Sequence, residues 1–156
     1  MDIAERDRLI AMYRDGHRVV VAALEGIAEA GLDAREALGE WSPREVVHHL
    51  ADSEMASALR LRRLLAEDAP VITSYDQDEY AARLHYDRPI AASLAAFGAA
   101  RAATAELFPH MTGADWSRVG THSDSGPYGV EDWLRIYGVH AHDHADQIRR
   151  TRAAGS

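Results

Sequence analysis

The chain contains no cysteine and no lysine, so all 17 of its basic residues are arginine. Without cysteine it can form no disulfide bond, bind no metal through thiolate and use no cysteine nucleophile. Any thiol chemistry therefore requires a thiol supplied as a substrate. Without lysine the chain cannot form a Schiff base with a carbonyl substrate.

Long apolar runs and an excess of positive charge are also missing. No segment approaches the ~20 apolar residues that a membrane-spanning helix needs, and the net charge is −8 with histidine neutral. This balance disfavours binding to nucleic acid or to an anionic membrane surface. The first residues lack the basic start and apolar stretch of a signal peptide, so we expect a cytoplasmic protein.

The periodicity of apolar residues predicts four long helices and no convincing strand. A chain of 156 residues suits one domain, which we expect over 1–156. The first helix should end before Gly31, and the second begins with a capping box formed by Ser42 and Glu45. The predicted helices cover, in order, about residues 3–30, 43–67, 89–108 and 130–151.

Two connections between these helices are long. Residues 71–86 are predicted to form a crossover between the second and third helices, with a short helix around Asp78 to Leu84. Residues 117–129 are rich in glycine and are predicted to form a loop that covers something. Four helices with one long crossover predict an all-α, antiparallel four-helix bundle.

Histidines interrupt the inner face of two of these helices. His140 and His144 are one turn apart on the fourth helix and continue an otherwise apolar stripe. Buried imidazoles need hydrogen-bonding or metal partners, and one divalent cation satisfies two such rings at once. His49 lies on the inner stripe of the second helix. A site of three histidines leaves a coordination position open, as catalytic sites do.

The simpler interpretation of a His-x-x-x-His pair is two surface histidines. We interpret His48 and His142, which lie beside the candidate ligands, as exposed residues or as partners of the ligands. His17, His85 and His110 are expected at the surface. His122 differs, because its glycine-rich loop could close over the site. No general base is evident in the sequence.

Two segments resemble the DinB/YfiT-like superfamily. Residues 41–53, with the run Trp-Ser-Pro-Arg-Glu-Val-Val-His-His-Leu-Ala-Asp-Ser, resemble its helix-two signature. Residues 137–148, with Tyr-Gly-Val-His-Ala-His-Asp-His-Ala-Asp-Gln-Ile, resemble its helix-four signature. Weaker similarity covers residues 70–80 and the loop before the fourth helix. Asp143 and Gln147 occupy positions where the YfiT-type branch often has histidine, which affects the expected substrate rather than the ligands.

The resemblance implies a four-helix bundle, usually dimeric, with a three-histidine site for nickel or zinc. Its ligands correspond to His49, His140 and His144, and a homodimer is expected. Members are described as metal-dependent hydrolases, or resemble S-transferases that use bacillithiol, mycothiol or glutathione. We predict transfer of such a thiol to an electrophilic small molecule, with hydrolysis and a non-catalytic metal-binding module as alternatives.

Further residues are candidates for supporting roles at this site. Asp52 is a candidate acceptor for a ligand imidazole, and Asp143 could serve similarly or lie in solvent. Arg60 and Arg101 lie on inward stripes, where either could bind an anionic substrate group or pair with Glu54. Three tyrosines could line the mouth of a pocket or simply contribute to packing: Tyr75, Tyr80 and Tyr128.

Overall fold

The computed structural model describes residues 1–154, most of which are helical. The helices are α1 (Ile3–Leu24), α2 (Pro43–Ala66), α3 (Gln77–Arg83), α4 (Ala91–Ala105), α5 (Gly113–Trp116) and α6 (Val130–Ala154). Helices α1, α2, α4 and α6 form the bundle, and the short α3 and α5 lie in its connections. No helix within residues 1–154 is long and apolar enough to span a bilayer.

Helix α1 begins where the sequence predicts but ends early. The Asp2 side chain accepts a hydrogen bond from the backbone N–H of Glu5, as an N-cap does. The predicted end near Ala30 is wrong, because Gly26 adopts a φ of +75°. A left-handed residue just past the last turn terminates a helix. Residues 29–33 then form a separate 3-10 turn.

The start of α2 follows its sequence signal closely. Ser42 and Glu45 form the predicted capping box, and Pro43 occupies the first turn. The cap fixes where the helix begins and therefore which face each later residue occupies. The histidine at position 49 consequently faces the interior of the bundle.

The prediction of no strand is wrong. Residues 119–129 form a hairpin of β2 (Val119–His122) and β3 (Gly126–Gly129), and β1 (Val71–Ile72) pairs with β2 in parallel. Strands of two to four residues are too short for an alternating pattern to be recognised in the sequence. This small sheet ties the crossover after α2 to the segment before α6.

The long helices form two parallel pairs that run in opposite directions. Helix α1 lies parallel to α6, with contacts that advance together from Met1–Glu131 to Ala23–Arg152. Helix α2 lies parallel to α4, because the crossover of residues 67–90 returns the chain to the starting end. Each pair is antiparallel to the other. The predicted four-helix bundle with a long crossover is thus confirmed, and the crossover gives its order as up-down-down-up.

A buried arginine joins all four helices. Arg101 of α4 forms a 2.5 Å ion pair with Glu54 of α2 and donates to the carbonyl oxygens of Tyr13 in α1 and Tyr137 in α6. Both charged side chains are at most 2% exposed. Gly16 makes room for the guanidinium, since a Cβ there would lie 2.6 Å from Arg101 Nε.

Candidate metal centre

Three histidine rings converge between α2 and α6. Because these helices are antiparallel neighbours, the second turn of α2 lies beside the middle of α6. His49 Nε2 lies 3.3 Å from His140 Nε2, which in turn lies 3.2 Å from His144 Nε2. The structure therefore brings together the three residues that the sequence predicts as ligands. That they bind a metal stays a prediction.

The spacing of these nitrogens suits a divalent ion. Zinc binds imidazole nitrogen at about 2.0–2.1 Å, and tetrahedral geometry then separates neighbouring ligand atoms by about 3.3 Å. One nitrogen from each ring lies within 4.8 Å of the other two. Three imidazoles without a thiolate or carboxylate accept nickel, zinc and other late divalent metals alike. The donor set therefore fits the metal that the sequence predicts, without selecting between nickel and zinc.

Burial keeps these rings neutral, which is the form that binds metals. Desolvation, reinforced by the neighbouring His144, lowers the pKa of His49 to about 3. Desolvation likewise lowers the pKa of His140 to about 2, and the two other rings add to the effect. The pKa of His144 is lowered by burial too, while Gln147 and Asp143 oppose the shift. At neutral pH each ring therefore offers an unprotonated nitrogen.

Gln147 fixes the tautomer of one ring. Its side-chain oxygen lies 2.8 Å from His144 Nδ1, so His144 donates through Nδ1 and leaves the Nε2 lone pair available. Such hydrogen bonds orient metal ligands. By contrast, His49 Nδ1 is buried and has no hydrogen-bond partner within residues 1–154. The rings of Trp41 and His49 contact each other in a T-shaped arrangement, with the ring centroids 4.7 Å apart.

The two aspartates proposed as partners of the ligands do not bond to them. Asp52 accepts a hydrogen bond from the Tyr86 hydroxyl at 2.7 Å. Tyr86 arrives from the crossover, and no hydrogen bond within residues 1–154 joins Asp52 to any of the three rings. Asp143 is exposed, which matches the solvent alternative. Its influence on His144 is limited to raising the pKa of that ring.

The remaining histidines near the ligands have other partners. His48 is fully buried, contrary to the expectation of exposure, and bonds to Ser93 Oγ and to the carbonyl of Arg88. His142 is half-buried and donates to the Met12 carbonyl. The contact of His48 with Ser93 attaches α2 to the start of α4, and the contact of His142 with Met12 attaches α6 to α1. The two residues therefore have structural roles rather than contacts with the three rings.

Two cavities open beside the three rings. The first, which we call the Gln147 cavity, has a volume of about 360 Å³. Its lining comprises Gly39, Glu40, Trp41, His49, Gln77, Asp78, His140, His144 and Gln147. The second, which we call the Arg60 cavity, has a volume of about 270 Å³. Its lining comprises His49, Ser53, Arg60, Ser74, Tyr75, Gln77, His122, Ile136, Tyr137 and His140. A larger cavity, about 520 Å³, lies between α1 and α4 and touches none of the three rings.

Arg60 and the hairpin of β2 and β3 lie at the Arg60 cavity. The sequence placed Arg60 on an inward stripe, and the structure directs it to the Tyr137 hydroxyl and the Thr73 carbonyl. Arg101 is the arginine that pairs with Glu54. His122, at the end of β2, lines the Arg60 cavity, as its glycine-rich segment suggested. Sequence reasoning missed Gln147 as a partner of His144.

Known proteins are similar to this chain in sequence. A protein of Oceanobacillus iheyensis named "putative metal-dependent hydrolase" is 34% identical over 117 residues, which cover 75% of this chain and 68% of that protein. A protein of Bacillus mycoides with the same functional name is 25% identical over 146 residues, covering 94% of this chain and 84% of that protein.

A solved structure extends the similarity to the whole bundle. YfiT from Bacillus subtilis, described as a probable metal-dependent hydrolase with an unusual four-helix bundle topology, superimposes with a TM-score of 0.91 at 27% identity. The superposition covers 99% of this chain and 90% of YfiT. The sequence profile of the DinB superfamily matches residues 12–148, a span that includes all three converging histidines. With the same bundle and a matching profile over most of its length, the chain belongs to the DinB superfamily.

Proposed function

We propose that this protein is a metal-dependent enzyme that activates a small-molecule thiol for transfer to an electrophile. One divalent ion, nickel or zinc, would be held by His49, His140 and His144. The observation that carries the proposal is the convergence of three neutral Nε2 atoms beside two open cavities. A divalent ion held there supplies Lewis acidity, which lowers the pKa of a thiol or a water molecule at an open coordination position.

The protein's own residues prepare the centre for this role. Burial keeps the three rings unprotonated at neutral pH, and Gln147 holds the His144 tautomer whose Nε2 is free. The ring of Trp41 lies against His49, with the ring centroids 4.7 Å apart. The Gln147 cavity, at about 360 Å³, lies within the range of about 300–1,000 Å³ that is typical of small-molecule sites, and the Arg60 cavity, at about 270 Å³, lies just below it.

Thiol activation needs less help from the protein than water activation. A free thiol has a pKa near 8.5, about seven units below that of water, so modest stabilisation produces the thiolate. Within residues 1–154, no carboxylate hydrogen-bonds to any of the three rings. The transfer converts an S–H bond into an S–C bond, the proton passes to solvent, and the leaving group departs with its bonding electrons.

Hydrolysis is the second candidate, and the names of the relatives favour it. Both curated relatives and YfiT are described as metal-dependent hydrolases. Two carboxylates that could serve as a base line the Gln147 cavity, namely Glu40 and Asp78. Both are exposed. Glu40 lies just before α2, and Asp78 lies in the first turn of α3. A hydrolase would use one of them to remove the proton from water.

Metal analysis followed by calorimetric titration tests the proposal. We expect one divalent ion per chain in protein purified without an affinity tag, loss of that ion in His144→Ala, and its retention in His142→Ala, a matched control two residues away. The metal-loaded protein should then bind glutathione, with no binding by His144→Ala. Metal binding without binding of glutathione, bacillithiol or mycothiol would overturn the thiol proposal in favour of hydrolysis or a non-catalytic role.

The predicted homodimer is a separate proposal that rests on the family resemblance. Sedimentation velocity of the metal-loaded protein tests it directly. A single species with the mass of one chain, 17.2 kDa, at micromolar concentration would contradict it.

A further inference from the structure

The two cavities beside the histidine rings differ in charge. Acidic Glu40 and Asp78 line the Gln147 cavity, and no arginine does. The Arg60 cavity has the opposite character, since a guanidinium lines it and no carboxylate does. The remaining polar groups of its lining are hydroxyls, an amide and imidazoles.

The guanidinium of Arg60 is held in place but not neutralised. It donates to the Tyr137 hydroxyl and to the Thr73 carbonyl, each at 2.8 Å. Those bonds engage two of its five N–H donors. No Asp or Glu within residues 1–154 lies within 4.0 Å of it. The hairpin residue Asp124 feels its charge only weakly, as the last of several causes that lower the pKa of Asp124.

The position of Arg60 relates it directly to the metal centre. His49, Ser53 and Arg60 lie on one face of α2, and helical side chains lean towards the N-terminus, which directs Arg60 towards His49. Across the cavity, Tyr137 accepts a hydrogen bond from Arg60, and its ring centroid lies 5.9 Å from that of His140. One aromatic ring therefore separates the guanidinium from a predicted metal ligand.

The hairpin adds a second donor to the same cavity. His122 Nδ1 accepts a hydrogen bond from the backbone N–H of Asp124. The Nε2 atom of the same ring therefore carries a proton and is a hydrogen-bond donor. Because His122 also lines the Arg60 cavity, an anionic group there meets one permanent cation and a donor from a different element.

We propose that the Arg60 cavity binds the carboxylate of the substrate whose reactive atom reaches the three histidines. The inference rests on the proposed function for the location of the reacting atom. A planar carboxylate matches the geometry of guanidinium N–H donors, and such charge-assisted pairs are stronger than neutral hydrogen bonds. The substrate class is then a thiol or an electrophile that carries a carboxylate a few bonds from its reacting atom.

Paired acids and amides test this assignment. The probes are 3-mercaptopropionate and 6-mercaptohexanoate, their neutral amides, and hexanoate as an anion without a thiol. Each is titrated calorimetrically into zinc-loaded wild type, Arg60→Gln, Arg60→Lys and Arg62→Gln. Arg62 is a matched control, because it lies on the same helix, is half-buried and bonds to Ala58 and Thr104 outside the cavity.

We expect wild type to bind at least one acid about tenfold or more tightly than its amide, as for a charged hydrogen bond. Arg60→Gln should abolish this preference and leave amide affinity and zinc content unchanged. Arg60→Lys should retain part of the preference, and Arg62→Gln all of it. Equal affinities for acid and amide in wild type, or a preference that survives in Arg60→Gln, would overturn the inference.

The same titrations separate this inference from the proposed function. If neither thiol acid binds the zinc-loaded protein more tightly than hexanoate does, the thiol proposal fails. Binding of hexanoate that depends on Arg60 would still support the carboxylate site in that case. Thermal unfolding of each variant checks that lost binding does not reflect lost folding.

Discussion

Replacing Gln147 with leucine should weaken metal binding without removing a ligand. The Gln147 side-chain oxygen is the acceptor for His144 Nδ1–H at 2.8 Å. Leucine has a similar volume and no acceptor. The metal-free variant can move the proton to Nε2, but the metal-bound form requires Nε2 to be free and leaves the Nδ1–H unsatisfied. The cost therefore falls on the metal-bound state.

The magnitude follows from that unsatisfied donor. A buried donor without a partner costs about 1–3 kcal/mol, and loss of a hydrogen bond to a metal ligand typically reduces metal affinity 10- to 100-fold. His144 is only partly buried, so water can replace part of the lost acceptor. We therefore expect the lower end of that range, about tenfold or ~1.4 kcal/mol.

Competition with a chromophoric chelator at pH 7.5 measures the zinc or nickel dissociation constant. Gln147→Glu keeps an acceptor and should bind metal at least as tightly as wild type. Asp143→Asn is the matched control, because Asp143 is exposed and makes no hydrogen bond to the rings. Equal affinity in Gln147→Leu and wild type would refute the assignment of the His144 tautomer.

Two further predictions concern stability. The folded pKa values of two rings are about 3 and about 2, below an unfolded value near 6.5. As the pH falls, the unfolded chain therefore takes up protons before the folded chain does. The free energy of unfolding of the metal-free protein, measured with urea, should decrease by about 2 kcal/mol per ring between pH 6.5 and 5. A free energy of unfolding that does not change between pH 6.5 and 5 would contradict this prediction. Glu54→Leu leaves the buried Arg101 charge unpaired and should cost about 3–5 kcal/mol in the same assay at pH 7. A loss below 1 kcal/mol would argue that the pair is unimportant.

The convergence of the three rings was predictable because helical periodicity assigns a face to each residue. His140 and His144 interrupt an apolar stripe of α6, and the capping box of Ser42 sets the rotation of α2 that turns His49 inward. Each inference uses residues close together in the chain. Antiparallel packing of two such helices then leaves little freedom for where the rings meet.

The hydrogen-bond partners of the residues beside the three rings were not predictable, because those partners come from distant parts of the chain. The carboxylate of Asp52 is three residues from His49, yet it bonds to Tyr86, which lies 34 residues away in the crossover. His48 is buried because the same crossover brings the Arg88 carbonyl and Ser93 to it. Which partner a side chain bonds to depends on its rotamer and on the conformation of the loops. No periodic pattern in the sequence predicts either.

The small sheet shows how short elements can position a functional surface. Backbone hydrogen bonds from Thr121 and Ser123 to β1 and the residue before it fix the hairpin beside the end of α2. That attachment places His122 at the Arg60 cavity, although it lies far from α2 in the chain. The glycine-rich composition of residues 117–129 predicted a segment that covers something. The position of each of its residues depends on the pairing of β2 with β1 and β3, which the sequence does not show.

The buried arginine explains how a bundle of this size can hold three rings in register. Buried ion pairs add little net stability compared with apolar packing, but a wrong arrangement that leaves their charges unpaired is costly. Arg101 bonds at once to the α2 carboxylate of Glu54 and to the backbone of Tyr137, one turn before His140 in α6. Sliding α6 against α2 by one turn would break one of these contacts and separate His49 from His140. The same contacts that penalise a shifted bundle therefore maintain the 3.2 and 3.3 Å nitrogen spacings on which metal binding depends.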